Sequence, residues 1–163
     1  MSIRRAVARV ATAVLVVGAV ATACGDDSSE RLGATEYRER ATEQCTQLKD
    51  ASDGLRAAQA PGASGPTVTK FMQQAADGLR DLVSSLERLT PPADLEPDAD
   101  HLHQALERYA DGLDDLADRV GPDGTFRTTL DANKKIVERL NGIADRATGL
   151  VTRLELAGCL LPA

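Results

Sequence analysis

His101 and His103, the only two histidines in the chain, stand among Asp94, Asp98, Asp100 and Glu107. Imidazole and carboxylate side chains together can ligate a divalent transition metal. On a helix, His103 and Glu107 are four apart and share a face, as do Asp100 and His103 at a spacing of three. His101 and His103, two apart, point to nearly opposite sides, which works against a common ion. His101, His103 and Glu107 are therefore weak metal candidates. The simpler reading is a set of acids complementing the dipole of a helix N-terminus, with two solvated histidines beside them. Asp123-Gly124-Thr125 suggests a calcium loop, but placing Gly124 sixth puts Arg119 first and Leu130 twelfth, and neither is a ligand. No metal site and no cofactor are expected.

Catalytic motifs are missing as well. The chain has no Gly-x-Ser-x-Gly elbow, His-Glu-x-x-His pair, phosphate loop or dinucleotide fingerprint. Asp114-Asp115 and Lys134-Lys135 read as solvated helix surface. No catalytic residue can be named, and the expectation is a protein that is not an enzyme.

The elements that would position any site are helices. Four amphipathic patterns are separated by residues that stop helices. The first runs from about Ala34 to Ala58, with Tyr37, Ala41, Cys45, Leu48 and Leu55 on one face, and ends at the Pro/Gly-rich run 60–66. The second covers about Thr67 to Leu89, with an apolar stripe from Val68 and Met72 to Leu86, and Thr90-Pro91-Pro92 stops it. The third begins near Pro97, a residue tolerated in a first helical turn, and carries a heptad seam of Leu102, Leu106, Tyr109, Leu113, Leu116 and Val120. The fourth spans about Thr125 to Ala157. At ~1.5 Å per residue it would approach ~50 Å against ~35 Å for the second, so an overhang or a break near Thr128-Thr129 is expected. No alternating strand pattern appears. Short loops between four such helices predict an all-α, up-down-up-down four-helix bundle over residues 35–163. Gly54, Gly78, Gly112 and Gly142 each precede a Leu or Ile inside a helix. They mark either close helix approach around a cavity or simple drift in a Gly/Ala-rich chain.

Residues 1–23 read as a targeting signal. Arg4, Arg5 and Arg9 form a basic start, and the apolar stretch 10–23 is shorter than the ~20 residues a permanent span needs. Ala21-Thr22-Ala23-Cys24 resembles a bacterial lipobox. That resemblance implies cleavage before Cys24, a diacylglycerol thioether on its sulfur, and an acylated new N-terminus. Two or more chains at ~0.8 kcal/mol per buried CH₂ hold a protein stably at a membrane. A polar tether, residues 24–34, would follow. The protein is then expected on the extracytoplasmic face of a cell membrane. Three cysteines is an odd number, and a lipid on Cys24 leaves Cys45 and Cys159 as one disulfide in an oxidising compartment. In the predicted topology those two cysteines lie together, at the start of the first helix and the end of the fourth.

Losing residues 1–23 removes three Arg and no acid, leaving 16 basic against 25 acidic groups, a formal −9. An acidic surface disfavours nucleic acid and anionic lipid headgroups. Tyr37, Phe71, Tyr109 and Phe126 are the whole aromatic set, which argues against a sugar platform.

The region after Cys24 resembles a diffuse set of small actinobacterial lipoproteins and secreted proteins. The shared features are a first helix with Tyr37 and Cys45, the connector Leu89-Thr90-Pro91-Pro92-Ala93-Asp94-Leu95, and a late Gly158-Cys159. The resemblance implies the helical fold and the disulfide, and no activity. Two readings follow. One is a non-catalytic envelope module that contacts an extracytoplasmic protein as adaptor or modulator. The other is a carrier of a small ligand or metal.

Overall fold

The computed structural model describes residues 31–60 and 62–159; the expected signal and Cys24 lie outside the described residues. Every regular element among them is helical: α1 (Ala34–Gln44), a 3-10 turn (Cys45–Gln47), α2 (Leu48–Ala58), α3 (Gly65–Leu86), α4 (Glu96–Ala117), α5 (Phe126–Ala132) and α6 (Lys134–Leu154).

α3 follows its apolar stripe, burying Val68, Met72, Ala75, Leu79, Leu82 and Leu86 at spacings of three and four. Pro66 sits in its first turn, and the prolines at 91 and 92 lie beyond its end. α4 likewise starts with Pro97 in its first turn, with Glu96 and Asp98 complementing the dipole.

The outer two segments are each divided: the first against the expectation of a continuous helix, the second by a break that was one of two expected outcomes but falls at another place. In the first, the Thr46 hydroxyl donates to the Glu43 carbonyl at 2.8 Å beside the 3-10 turn, so a side chain competes with the helix ladder where Cys45 turns inward. In the second, the break falls at Asn133 and not at Thr128-Thr129. Thr125 and Thr128 instead form a reciprocal capping box that starts α5. Asn133 leaves helical geometry (φ −120°, ψ 38°) while its amide donates to the Thr129 carbonyl at 2.8 Å.

α3 packs on both α2 and α4, and α4 packs on α6. Opposite chain direction in the α3–α4 and α4–α6 pairs follows from their contacts. On α3 and α4, Thr69 donates to the Ala117 carbonyl while Arg80, further along, reaches Asp111 and Asp114. On α4 and α6, Arg153 meets Asp98 and Arg139 meets Asp115. One continuous core of Leu, Val, Ala and Met joins the helices, with Tyr37 and Ala41 of α1 inside it.

Two glycines mark close approach. A Cβ on Gly112 would stand 2.5 Å from Leu140 Cδ2, so α4 and α6 meet there. A Cβ on Gly65 would run into the Gly121 carbonyl oxygen, so the start of α3 lies against the turn after α4. Gly142 has open space and Gly54 only an ordinary contact, so close approach is not a device shared by all the helix glycines.

The Cys45–Cys159 disulfide is formed across 114 positions, with Cα atoms 4.9 Å apart. Just before it, Glu155 adopts a left-handed conformation (φ 57°), and the Leu156 amide donates to the Val151 carbonyl at 3.0 Å. This is a Schellman stop: it ends α6, buries Leu156 and turns Cys159 back to Cys45. At the other end, Leu32 donates to the Thr90 carbonyl and Arg31 pairs with Glu96 at 2.7 Å, tying the chain before α1 to the α3–α4 connector.

Candidate ligand cleft between α4 and α6

His101, Gln104, Ala105 and Arg108 recur on one face of α4 at spacings of three, one and three. Ile143, Arg146, Leu150 and Arg153 recur on one face of α6 at three, four and three. These two faces line a cleft of about 270 Å³. Ala105, Ile143 and Leu150 supply its apolar surface. The rest is a ring of three guanidinium groups, one imidazole and one amide.

The charges along this seam have a register. Arg139, Arg146 and Arg153 are spaced by seven and so form one row on α6. The two outer members are paired with acids of α4. Arg139 reaches Asp115 at 2.9 Å, and Arg153 forks onto Asp98 at 2.9 and 3.0 Å. That fork, helped by the nearby His101, holds the Asp98 carboxyl below the usual carboxylate range. The middle member differs. Among the described residues neither Arg146 nor Arg108 has a carboxylate within ion-pair distance, and Ala105 and Arg108 of α4 share the cleft with Arg146.

The structure separates the two histidines. His101 is exposed on the cleft wall, whereas His103 is half-buried on the other side of α4, with Nε2 buried and unbonded. The expectation of two solvated histidines therefore fails for His103. Burial lowers its pKa, against the pull of Glu87, Asp100 and Glu107. Among the described residues the Tyr37 hydroxyl is the other buried side-chain polar atom without a hydrogen bond; burial, then the charge of Asp100, pushes its pKa up to about 12. His101, His103 and Glu107 are not gathered into one ligand set, and among the described residues no three His, Cys, Asp or Glu side chains could hold a metal ion.

A second, smaller cavity of about 160 Å³ lies beside the Gly112–Leu140 contact, between Met72, Leu113, Val137 and the α5 residues Phe126 and Leu130. Its lining mixes these apolar side chains with Gln59, Tyr109 and Asn141.

Reading the sequence by segments singled out neither Arg108 nor the α6 arginines, because the cleft is made by two helices about forty residues apart. The signal present was the seven-residue spacing of Arg139, Arg146 and Arg153. Among the described residues no helix is long and apolar enough to cross a membrane. No family model, curated protein or solved structure matches this chain, so the role of the cleft rests on its own residues.

Proposed function

We propose that this chain is a non-catalytic lipoprotein that is anchored through Cys24 on the extracytoplasmic face of a bacterial cell membrane and carries a small ligand between α4 and α6. The single observation behind the carrier reading is the cleft: an apolar floor rimmed by basic groups, two of which have no acidic partner among the described residues of a strongly acidic protein. The anchor reading is supported by cysteine use. Cys45 and Cys159 are bridged, which leaves Cys24 as the odd cysteine in a lipobox-like sequence. Counting α1 with α2 and α5 with α6, the antiparallel contacts support an up-down-up-down four-helix bundle, and its end-to-end bridge suits an oxidising compartment.

A melting-temperature screen of the full-length protein against chemically diverse small solutes tests the carrier reading, since a ligand of the folded state raises the transition. Gln104→Trp fills the cleft from an exposed position and is the blocked control. At least one solute class should raise the melting temperature of the wild type and leave the Trp variant unmoved. No shift with any class would sink the reading.

A protein-interaction role is the second reading, favoured by the half-buried Phe126, Leu130, Ile136 and Val137 at the α5–α6 corner. Cross-linking in the native envelope, comparing wild type with Cys24→Ala, should then capture one extracytoplasmic partner that depends on the anchor.

A further inference from the structure

We infer that the α4–α6 cleft recognises a small amphiphilic anion, a phosphate monoester or carboxylate on a short apolar body. This rests on the cleft binding a ligand, as proposed above, and specifies which chemistry it takes.

The argument starts from the arginine row. Three arginines seven residues apart face α4, and where α4 presents an acid, at Asp98 and Asp115, an ion pair forms. Between them α4 presents Ala105 and Arg108, so a like charge joins Arg146 at the place where a third carboxylate would continue the ladder. Two guanidinium groups on one small cleft repel each other unless an anion lies between them. The chain has ample acids to supply one, at 25 Asp and Glu against 19 Lys and Arg, yet among the described residues no Asp or Glu lines the cleft. Guanidinium forks match planar carboxylates and phosphate oxygens in two-pronged geometry. His101 at the mouth adds a further donor.

The floor defines the remainder of the ligand. Ala105 and Leu150 are buried, and half-buried Ile143 completes an apolar surface under the charged rim. A bare inorganic ion would leave that surface wet, whereas a short hydrocarbon or ring would cover it. At about 270 Å³ the cleft lies just below the range of about 300–1,000 Å³ typical of drug-sized ligands. The occupant is accordingly small.

An isosteric series on the full-length protein tests this: phenyl phosphate and benzoate as anions, phenol as the neutral body, phenyltrimethylammonium as the cation, and inorganic phosphate as the charge without a body. Calorimetric titration should rank phenyl phosphate and benzoate above inorganic phosphate, with phenol and the cation weakest. Arg108→Gln and Arg146→Gln remove exposed side chains, so folding is spared, and each should weaken phenyl phosphate by about tenfold. Vesicles of phosphatidylglycerol that displace phenyl phosphate would assign the anion to a lipid headgroup; vesicles that do not would assign it to a free solute. Equal binding of phenol or the cation, equal binding of inorganic phosphate, or full binding by the Arg108→Gln/Arg146→Gln double variant would each overturn the assignment while leaving a ligand cleft in place. Silence from the whole series together with a flat solute screen would remove the cleft reading itself.

Discussion

α3 and α6 are nearly equal in length and are built for different work. α3, with 22 residues, lies between α2 and α4 and buries ten of them. α6, with 21 residues, packs mainly on α4 and buries five. A helix with partners on two sides needs a broad apolar stripe, and α3 has one. A helix with one main partner needs only a seam, and the flanks of α6 are free to carry long cationic side chains. The cleft arises at that difference: α6 touches α4 closely at Gly112–Leu140, then stands off it where Arg108 and Arg146 share the gap.

The largest expected effect concerns how the edge helix is held. The disulfide clamps the exit of α6 to the end of α1 across 114 positions, and chain entropy puts its contribution at about 4–5 kcal/mol. Urea unfolding of Cys45→Ser/Cys159→Ser should show a loss of that order; a loss below about 1 kcal/mol would mean α6 needs no clamp. Next come paired core truncations. Leu82→Ala in α3, at 0% exposure, should cost about 4 kcal/mol, and Leu150→Ala, which opens onto the cleft, about 2 kcal/mol. Equal costs would erase the distinction between the helices.

Smaller effects separate the two glycines of the α4–α6 pair. Gly142→Ala meets nothing within 4 Å and should stabilise by about 0.5–1 kcal/mol through helix propensity. Gly112→Ala gains the same propensity but drives into Leu140, for a net loss of about 1 kcal/mol. Thermal unfolding of the two variants should therefore shift in opposite directions. The smallest effect concerns pH. Burial lowers the His103 pKa, so the unfolded chain takes up that proton first as pH falls. The stability linked to neutral His103 is fully present above about pH 6.5 and is lost as pH falls through the lowered value. His103→Gln should flatten the decline in stability below pH 6.5, read as urea midpoints across the pH range.

Much of the fold could be read in advance, for identifiable reasons. Apolar residues at helical period, with Pro/Gly runs between them, mark α3 and α4 within a few residues. The odd cysteine count singled out Cys45 and Cys159. The break at Cys45–Gln47 was missed, and the one at Asn133 was placed too early, at Thr128-Thr129, because both depend on single side chains competing for backbone carbonyls, which no periodicity records. His103 looked solvated among acids because its own segment is polar; its burial comes from neighbouring helices. The cleft was invisible for the same reason: each helix contributes a face that alone looks like ordinary charged surface.

Native mass spectrometry of the full-length protein released gently from its own envelope tests the ligand claim most directly. A binding cleft predicts a small anionic species retained on the wild type and lost from the Arg108→Gln/Arg146→Gln double variant. A wild-type spectrum without any retained species, or an identical one on both proteins, would contradict it.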